Sequence, residues 1–259
     1  MVDKFDIKKI KWLKGYKGTP SAYFPLKTPS VSVILDLIPD PDWLKFIEEI
    51  GEEKALEIRT KAQQRGKALH AFLEHFINSL VKSKDPSMAL QHTQKVSVPI
   101  LENEGVPMEK IDKGREMFFN FYYSSYVNLY TDLIGTELAL YSPFLFYRGK
   151  ADVFYNEKGV GRVVTDFKGT TSTIEKDSIK ELKYKRQLGA YALALEHMFK
   201  EKELKISKAS ILAIHSKTPT IQEITCIGNE LEEQKKEFEI LVKQWHKDNN
   251  QEFLFSSTL

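Results

Sequence analysis

The spacing of apolar positions divides the chain into a helical first part and a region of strands. From about residue 42 to residue 81 most residues favour helix, and Gly51 and Gly66 predict breaks in this stretch. Apolar side chains recur at helical spacing in its last part, at Leu69, Phe72, Leu73, Phe76, Ile77 and Leu80. A second helix, rich in aromatic residues, is predicted at about 109–130.

Beyond residue 135 the pattern changes to the short apolar runs that are typical of β-strands. Three strands are predicted in the segments TELALYS, FLFYRGKADVFY and GRVVTDFK, with a turn at 156–161 between the last two. A helix is predicted at about 177–199 and is followed by two further strands, KASILAIHSK and TIQEITCIG. A final amphipathic helix is expected at 229–248, with Asn229 as its N-cap and Glu232 placed for a capping box.

This order of elements predicts an α/β or α+β fold, in which helices flank a central sheet and a helical elaboration precedes it. We expect one domain over residues 1–259, because no clear boundary divides the chain. Within it, 1–30 is predicted to be irregular, 31–135 mainly helical, 136–228 the sheet core, and 229–259 the C-terminal helix and tail.

The charge of the chain changes this picture only locally. A net charge of +2 argues against a molecule that is basic overall, but local clusters can bind phosphate while the total stays small. The clustered residues are Lys4, Lys8, Lys9, Lys11, Lys14 and Lys17 near the N-terminus, and Lys176, Lys180, Lys183, Lys185 and Arg186 further on. A solvated lysine face is the commoner explanation for any one such cluster.

The single cysteine, Cys226, excludes a disulfide framework and a cysteine-ligated zinc or iron–sulfur centre within one chain. A reducing compartment is therefore expected. No apolar run has membrane-spanning length, and the N-terminus lacks the apolar core of a signal peptide. We expect a protein of the cytoplasm of a bacterial or phage-infected cell, or of an organelle, with no membrane partner.

The strand VVTDFK contains an acid and a base two positions apart. Side chains alternate along a strand, so Asp166 and Lys168 share a face and lie about 7 Å apart along it. A buried charge is costly unless it is paired or bound to a metal. The two residues therefore form either a salt bridge on a half-exposed strand or a catalytic pair.

Further acids and a histidine are placed to join this pair. The turn at 156–161 brings Asp152 close to Asp166, and two adjacent carboxylates repel unless a cation such as Mg²⁺ or Mn²⁺ lies between them. Glu137, at the start of the preceding strand, is either a third acid or solvated. His70 lies on an apolar helix, where it is either a ligand or a core histidine.

Two residues of the helix at 177–199 are also candidates. Gln187 and Tyr191 are four positions apart and share a face of that helix. A glutamine that faces the sheet needs a polar partner, and the Asp166–Lys168 end of the strand could supply it. An ordinary glutamine at the boundary of the core is the alternative.

The candidate residues together resemble the signature of RecB-like exonucleases in the PD-(D/E)XK nuclease superfamily. That signature is an upstream histidine, followed by a glutamate, GxxD, DxK and QxxxY. The matching residues are His70, Glu137, Gly149, Asp152, Asp166, Lys168, Gln187 and Tyr191. The segment PSVSVIL at 29–35 makes the chain similar to the mitochondrial genome maintenance exonuclease family and its phage and bacterial relatives. The resemblance covers roughly residues 29–200.

The resemblance implies a metal-dependent DNA exonuclease that prefers single-stranded ends and acts in replication, recombination or repair. It implies one or two Mg²⁺ or Mn²⁺ ions bound by Asp152, Asp166, the Phe167 backbone carbonyl and His70, and Glu137 is a weaker candidate ligand. Lys168 would orient or deprotonate the attacking water, and Gln187 would hold Lys168 or that water. Relatives with iron–sulfur clusters are disfavoured, because the chain has too few cysteines.

Other residues are candidates for contacts with DNA. Tyr191 would support the site or touch the substrate, and the remaining candidates are Ser30, Thr170, Ser172, Lys185 and Arg186, although turn chemistry explains Thr170 and Ser172 equally well. Aromatic residues of the helical part are expected to be mostly core, with one or two lining a passage for single strands. They are Phe118, Phe119, Phe121, Tyr122, Tyr123, Tyr126 and Tyr130.

Two alternatives to the exonuclease stay open. The first is a structure-specific endonuclease of the same fold, and the second is a nucleic-acid-binding module without catalysis. The intact pair Asp166 and Lys168 argues against the second. A single-strand-binding protein or a replisome component is a possible protein partner.

Overall fold

The computed structural model describes residues 28–251. The predicted N-terminal lysine cluster, most of the predicted irregular segment and the end of the tail lie outside these residues. The helices are α1 Val31–Leu35, α2 Pro41–Ile50, α3 Glu52–Ser83, α4 Pro86–Asn103, α5 Met108–Tyr122, α6 Ile179–Met198 and α7 Gly228–Asp248, with 3₁₀ helices at Ser125–Asp132 and Lys200–Lys202. The strands are β1 Leu133–Ser142, β2 Tyr147–Glu157, β3 Gly161–Thr170, β4 Lys208–His215 and β5 Ile221–Ile227.

The five strands form one mixed sheet in the order β1–β2–β3–β4–β5. Strands β1, β2 and β3 are antiparallel neighbours, β4 runs parallel to β3, and β5 is antiparallel to β4. The parallel pair β3–β4 requires a crossover, and α6 supplies it. The predicted α/β fold, with a central sheet flanked by helices, is confirmed.

Two apolar clusters cover the two faces of this sheet. One cluster joins the sheet to α1, α6 and α7 and includes Val164 of β3. The other joins it to α3 and α5 and includes Val163 and Phe167 of the same strand. The alternation predicted for β3 is therefore confirmed, and its polar residues lie among apolar neighbours on both sides. The division of the chain into a single domain stays a prediction.

The long helix α3 differs from its prediction at one of two glycines. The predicted break at Gly51 is confirmed, because this residue has φ +85° and separates α2 from α3. The predicted break at Gly66 is wrong, since α3 continues through it. One helical glycine costs only about 1 kcal/mol, and burial of Leu69 and Phe72 just beyond it outweighs that cost.

Three other elements also differ from the sequence prediction. Helix α4 was not predicted, and it begins after an N-cap at Asp85 whose carboxylate accepts the Ser87 and Met88 N–H groups. The aromatic helix ends at Tyr122 and continues as a 3₁₀ helix rather than reaching 130. The predicted N-cap at Asn229 is wrong, because α7 follows β5 directly and starts at Gly228.

None of the helices within residues 28–251 combines the length and the hydropathy needed to cross a membrane.

Candidate active site

The site begins where the hairpin of β2 and β3 opens. Paired residues run from Glu157–Gly161 at the turn to Val153–Thr165. Continuing this register makes Asp152 and Asp166 the next opposed positions. The Asp152 carboxylate instead accepts the N–H of Phe167 at 2.6 Å, in place of a ladder partner. The strands thus part at the two acids that the sequence predicted to be neighbours.

A third acid stands in the same row on β1. The pairs Thr136–Val153 and Leu138–Ala151 place Glu137 opposite Asp152. Glu137 lies inside the strand rather than at its predicted start, and its φ is +50°. A non-glycine residue in this region costs of the order of 1–3 kcal/mol, and such strain occurs mainly at functional sites. The carboxylates of Glu137, Asp152 and Asp166 therefore lie side by side on three adjacent strands, and we call these three residues the acid row.

His70 reaches this row from α3, which covers the face of the sheet opposite to α6. Its Nδ1 lies 3.1 Å from Asp152 Oδ1. Side-chain ligand atoms of His70, Glu137 and Asp152 all lie within 4.8 Å of one another. Burial disfavours the charged form of both residues, but their mutual attraction outweighs it. The pKa of His70 is therefore raised by Asp152, and the pKa of Asp152 is lowered by His70. The polar partner distinguishes His70 from an ordinary core histidine.

A close helix contact fixes α3 in the position that His70 requires. A Cβ at Gly114 of α5 would lie 2.5 Å from the Ala68 Cβ, so only glycine permits this approach. On the side toward the sheet, Phe72 and Phe118 stack with their ring centroids 5.7 Å apart. The histidine is therefore presented by a well-packed part of α3.

Asp166 is more deeply buried and contacts two polar side chains. Its Oδ1 accepts a hydrogen bond from Gln187 Nε2 at 3.1 Å, and its Oδ2 lies 2.6 Å from Lys168 Nζ. Among the described residues, this ion pair with Lys168 is the contact that Oδ2 makes. Burial raises the pKa of Asp166 to about 6, with Asp152 adding to the shift and Lys168 opposing it.

Lys168 is the cation of the site. Burial would lower its pKa, but the charges of Asp166 and Asp152 raise it overall, so the side chain is an ammonium group at neutral pH. Nζ also lies 5.8 Å from the ring centroid of Tyr184 on α6. The sequence offered no signal for Tyr184 beyond its helical spacing from Gln187 and Tyr191.

Gln187 connects α6 to the strand of acids. Its Nε2 donates to Asp166 and also to the hydroxyl of Tyr191, at 2.7 Å. The sequence predicted a polar partner at the Asp166–Lys168 end of the strand, and the resemblance implied Lys168 or a water molecule; in the structure the partner is Asp166. The glycine of GxxD has a packing role, because a Cβ at Gly149 would lie 3.1 Å from both Tyr191 and Val31.

The set of ligand atoms fits a hard divalent cation. Carboxylate oxygens and one imidazole suit Mg²⁺ or Mn²⁺ better than softer metals. Three carboxylates brought into a row are a feature that a divalent cation would stabilise. The Phe167 carbonyl stays a predicted ligand, because the contact that the structure shows for this residue is made by its N–H.

Four of the predicted DNA contacts are engaged elsewhere in the structure. Thr170 Oγ1 donates to the Ser172 carbonyl at 2.6 Å and accepts the Ser172 N–H, so turn chemistry accounts for it. Lys185 pairs with Glu230, and Arg186 binds Gln234 and Glu237 of α7. Lys185 and Arg186 stay predicted contacts with DNA, and in the structure both side chains pair with residues of α7.

Ser30 does lie beside the site, where it lines a pocket that reaches Lys168. The same pocket includes Arg148 and Lys150, two residues that were not predicted to contact the substrate. Their alternation with Asp152 along β2 was the signal that could have found them.

The aromatic residues of the helical part are divided between core and surface. Phe118, Phe121 and Tyr130 are fully buried, and Phe121 and Tyr130 pack on Phe167 of β3. Tyr123 is 78% exposed and stacks on Phe119 at 6.0 Å. The passage expected for single strands has a candidate surface here, at the end of α5.

Comparisons with known proteins bear on the family rather than on single residues. Residues 43–255 match the family model described as the PD-(D/E)XK nuclease superfamily. A crystal structure described as "Putative exonuclease", from Eubacterium rectale, is 17% identical with a TM-score of 0.43, over 70% of this chain and 68% of that one. A search of curated proteins gave no match.

Proposed function

This chain belongs to the PD-(D/E)XK nuclease superfamily, and on that premise we propose that it is a Mg²⁺- or Mn²⁺-dependent exonuclease that hydrolyses DNA. We propose further that it prefers single-stranded ends. The observation that carries the proposal is the convergence of His70, Glu137 and Asp152 beside the buried Asp166. Carboxylates brought this close together repel unless cations neutralise them, and a divalent ion would add to the charges of Lys150 and Lys168.

A bound divalent ion would polarise a phosphodiester and lower the pKa of a water molecule, which is the chemistry that this hydrolysis needs. Asp152, Asp166, His70 and Glu137 are the side chains proposed to hold it. The Phe167 N–H keeps the Asp152 carboxylate in place, and the Gln187 amide does the same for Asp166. These contacts fix both carboxylates before substrate arrives.

Lys168 is proposed to act as a cation rather than as a base in the resting protein. Its ammonium group lies at the edge of the acid row and borders the neighbouring pocket. There it can donate to a phosphate oxygen or orient the attacking water. Tyr191 acts through Gln187, so we assign it a supporting role.

The preference for single-stranded ends is supported by the resemblance and by the exposure of the helical part. Helix α2 contains no buried residue, and Ala55 is the only buried residue at the start of α3 before Ala68. Such a segment is better suited to covering a substrate than to filling a core. On the same resemblance we propose a role in replication, recombination or repair. We also propose a single-strand-binding or replisome partner and a cytoplasmic or organellar location.

A comparison of substrates tests this function directly. Four substrates are compared: linear and covalently closed DNA, each in single-stranded and double-stranded form. Each is incubated with Mg²⁺ in the presence and absence of a chelator, and the products are resolved by size. We expect linear single strands to be degraded to short oligonucleotides and closed circles to survive. Rapid cutting of circles would instead identify an endonuclease, and binding without cutting would identify a non-catalytic module.

A further inference from the structure

A pocket of about 420 Å³ opens beside the acid row, between α1, β2 and α6. Its polar lining includes Ser30, Ser32, Arg148 and Lys150, and it borders the candidate active site at Lys168, Gln187 and Tyr191. Val31 contributes an apolar wall. The size is within the range of sites that bind small molecules. Cations and hydroxyls on one side of a pocket favour an anionic group.

The three cations of the pocket are not equivalent. Lys168 is paired with Asp166, and Lys150 is paired with Glu137. Across residues 28–251, no ion pair or hydrogen bond is found for the Arg148 guanidinium, which is half-buried. A half-buried guanidinium without an anionic partner is a ready-made site for a phosphate.

The backbone holds Arg148 and the hydroxyls together. The Arg148 N–H donates to the Pro29 carbonyl at 2.9 Å, and Ser30 forms an isolated parallel bridge with Arg148. The Ser30 and Ser32 hydroxyls lie 2.8 Å apart. One segment before α1 is therefore fastened to β2 so that two hydroxyls and one guanidinium line the same pocket.

We propose that this pocket binds a phosphate of the substrate strand close to the scissile one, through Arg148, Ser30 and Ser32. The proposal rests on the proposed function. Arg148 lies four residues before Asp152, about 13 Å along β2 at a rise of about 3.3 Å per residue. A phosphate held by Arg148 would therefore lie within a few nucleotides of the phosphate at the acid row, since Arg148 and Lys168 line the same pocket. It is either a terminal monoester or an internal diester.

The test combines one charge-removing variant, one conservative variant and one control. Arg148→Ala removes the guanidinium, and Arg148→Lys keeps a charge without the fork geometry. Arg115→Ala removes an arginine of α5 that pairs with Asp112. The substrates are single-stranded oligonucleotides that carry a 5′-phosphate, a 3′-phosphate or hydroxyls at both ends. The measured quantities are KM and kcat at saturating Mg²⁺.

We expect Arg148→Ala to raise KM on the order of tenfold or more, the effect of one lost charge-assisted contact, with a much smaller change in kcat. Arg148→Lys should recover part of the loss, and Arg115→Ala should leave KM unchanged. An effect confined to one phosphorylated substrate assigns the pocket to a terminal phosphate, and an effect on all three assigns it to an internal one. An unchanged KM for all three would overturn the proposal.

A binding measurement separates this proposal from the proposed function. Fluorescence anisotropy of a labelled oligonucleotide in the presence of a chelator reports binding without cleavage. Weaker binding by Arg148→Ala supports the pocket even if the wild-type protein cuts nothing, and equal binding by both contradicts it. If Arg148→Ala does not fold, oligonucleotide binding by Ser32→Ala is compared with wild type instead, and weaker binding supports the pocket. Ser32 is exposed, so its replacement leaves the core intact.

Discussion

The hairpin of β2 and β3 has two halves that differ in almost every physical respect. In the turn half, from Val153–Thr165 to the turn, the strands are regularly paired and apolar residues such as Phe154 and Val164 are fully buried. Its buried hydroxyl at Thr165 is satisfied by Ser210 at 2.9 Å. In the open half, the ladder gives way at Asp152, and charged groups occupy the interior.

The difference shows how the fold tolerates a costly site. The turn half supplies apolar burial and a complete ladder, whereas the open half contains two acids and a lysine. Changes in the turn half should therefore affect stability and leave the chemistry unchanged. Changes in the open half should affect the chemistry first, and some of them should stabilise the metal-free protein.

Replacement of Asp166 by asparagine should have the largest effect on cleavage. The isosteric amide keeps the volume but removes a proposed metal ligand, so we expect kcat to fall on the order of 10³-fold or more. Asp132→Asn is the matched control, because Asp132 is exposed and hydrogen-bonds only to Asn156 among the described residues. Equal loss in both variants would show that the effect is not specific to the open half.

Replacement of Lys168 by alanine should slow cleavage by about 10²-fold, the usual contribution of a positioned proton-transfer or charged group. Oligonucleotide binding and Mn²⁺ binding should be largely retained, because the proposed ligands remain. Single-turnover rates at saturating DNA measure the chemical step. Full activity in this variant would exclude a catalytic role for the acid–base pair of β3.

Ionisation of Asp166 should lower the free energy of unfolding of the metal-free protein. The pKa of Asp166 is raised to about 6 from an unfolded value near 4, so the folded state binds the proton more tightly. The associated stability is present below about pH 4 and is lost as the pH rises through 6, by roughly 2–3 kcal/mol. With a chelator present, Asp166→Asn should therefore gain stability over wild type at pH 8 and not at pH 4. Denaturant unfolding at both values checks the sign.

The turn half should respond to truncation in the opposite way. Val164→Ala removes two buried methyl groups and should lower the free energy of unfolding by about 2 kcal/mol. Mn²⁺ affinity and kcat at a permissive temperature should stay near wild type. Denaturant unfolding and metal titration on the same preparation measure both. A variant that loses metal binding while folded would mean that the two halves are not separable.

Arg186→Ala should have the smallest effect of these changes. Arg186 pairs with Glu237 and hydrogen-bonds to Gln234 of α7, and its side chain is mostly buried, so its loss should lower stability by about 1 kcal/mol. Cleavage and DNA binding should be unchanged within about twofold. A marked loss of DNA binding would instead support the expectation that this arginine contacts the substrate.

Local pattern was enough to predict most of the fold and part of the site. The strands alternate with period two, so the positions of Asp152, Asp166 and Lys168 followed from β2, β3 and the turn between them. Features that depend on tertiary contacts were not predicted in this way. Helix α3 passes Gly66 because of packing further along, and α7 starts at Gly228 because β5 leaves no linker.

The same limit applies to the site residues. The left-handed backbone of Glu137 has no signature in a sequence, and the direction of Arg186 is decided by its contact with α7. The bridge of Ser30 to Arg148 joins segments that are far apart in the chain. Motif spacing therefore predicted which residue types to look for, and the three-dimensional contacts decide which of them can act together.

Calorimetric titration of Mn²⁺ into wild-type protein and into Asp152→Asn tests the central claim most directly. The claim is that the open half is a divalent-metal site, with Asp152 between His70, Glu137 and Asp166. It predicts saturable binding to wild type and no measurable binding to the variant, with both proteins folded by circular dichroism. Equal Mn²⁺ affinity in the two proteins would contradict it.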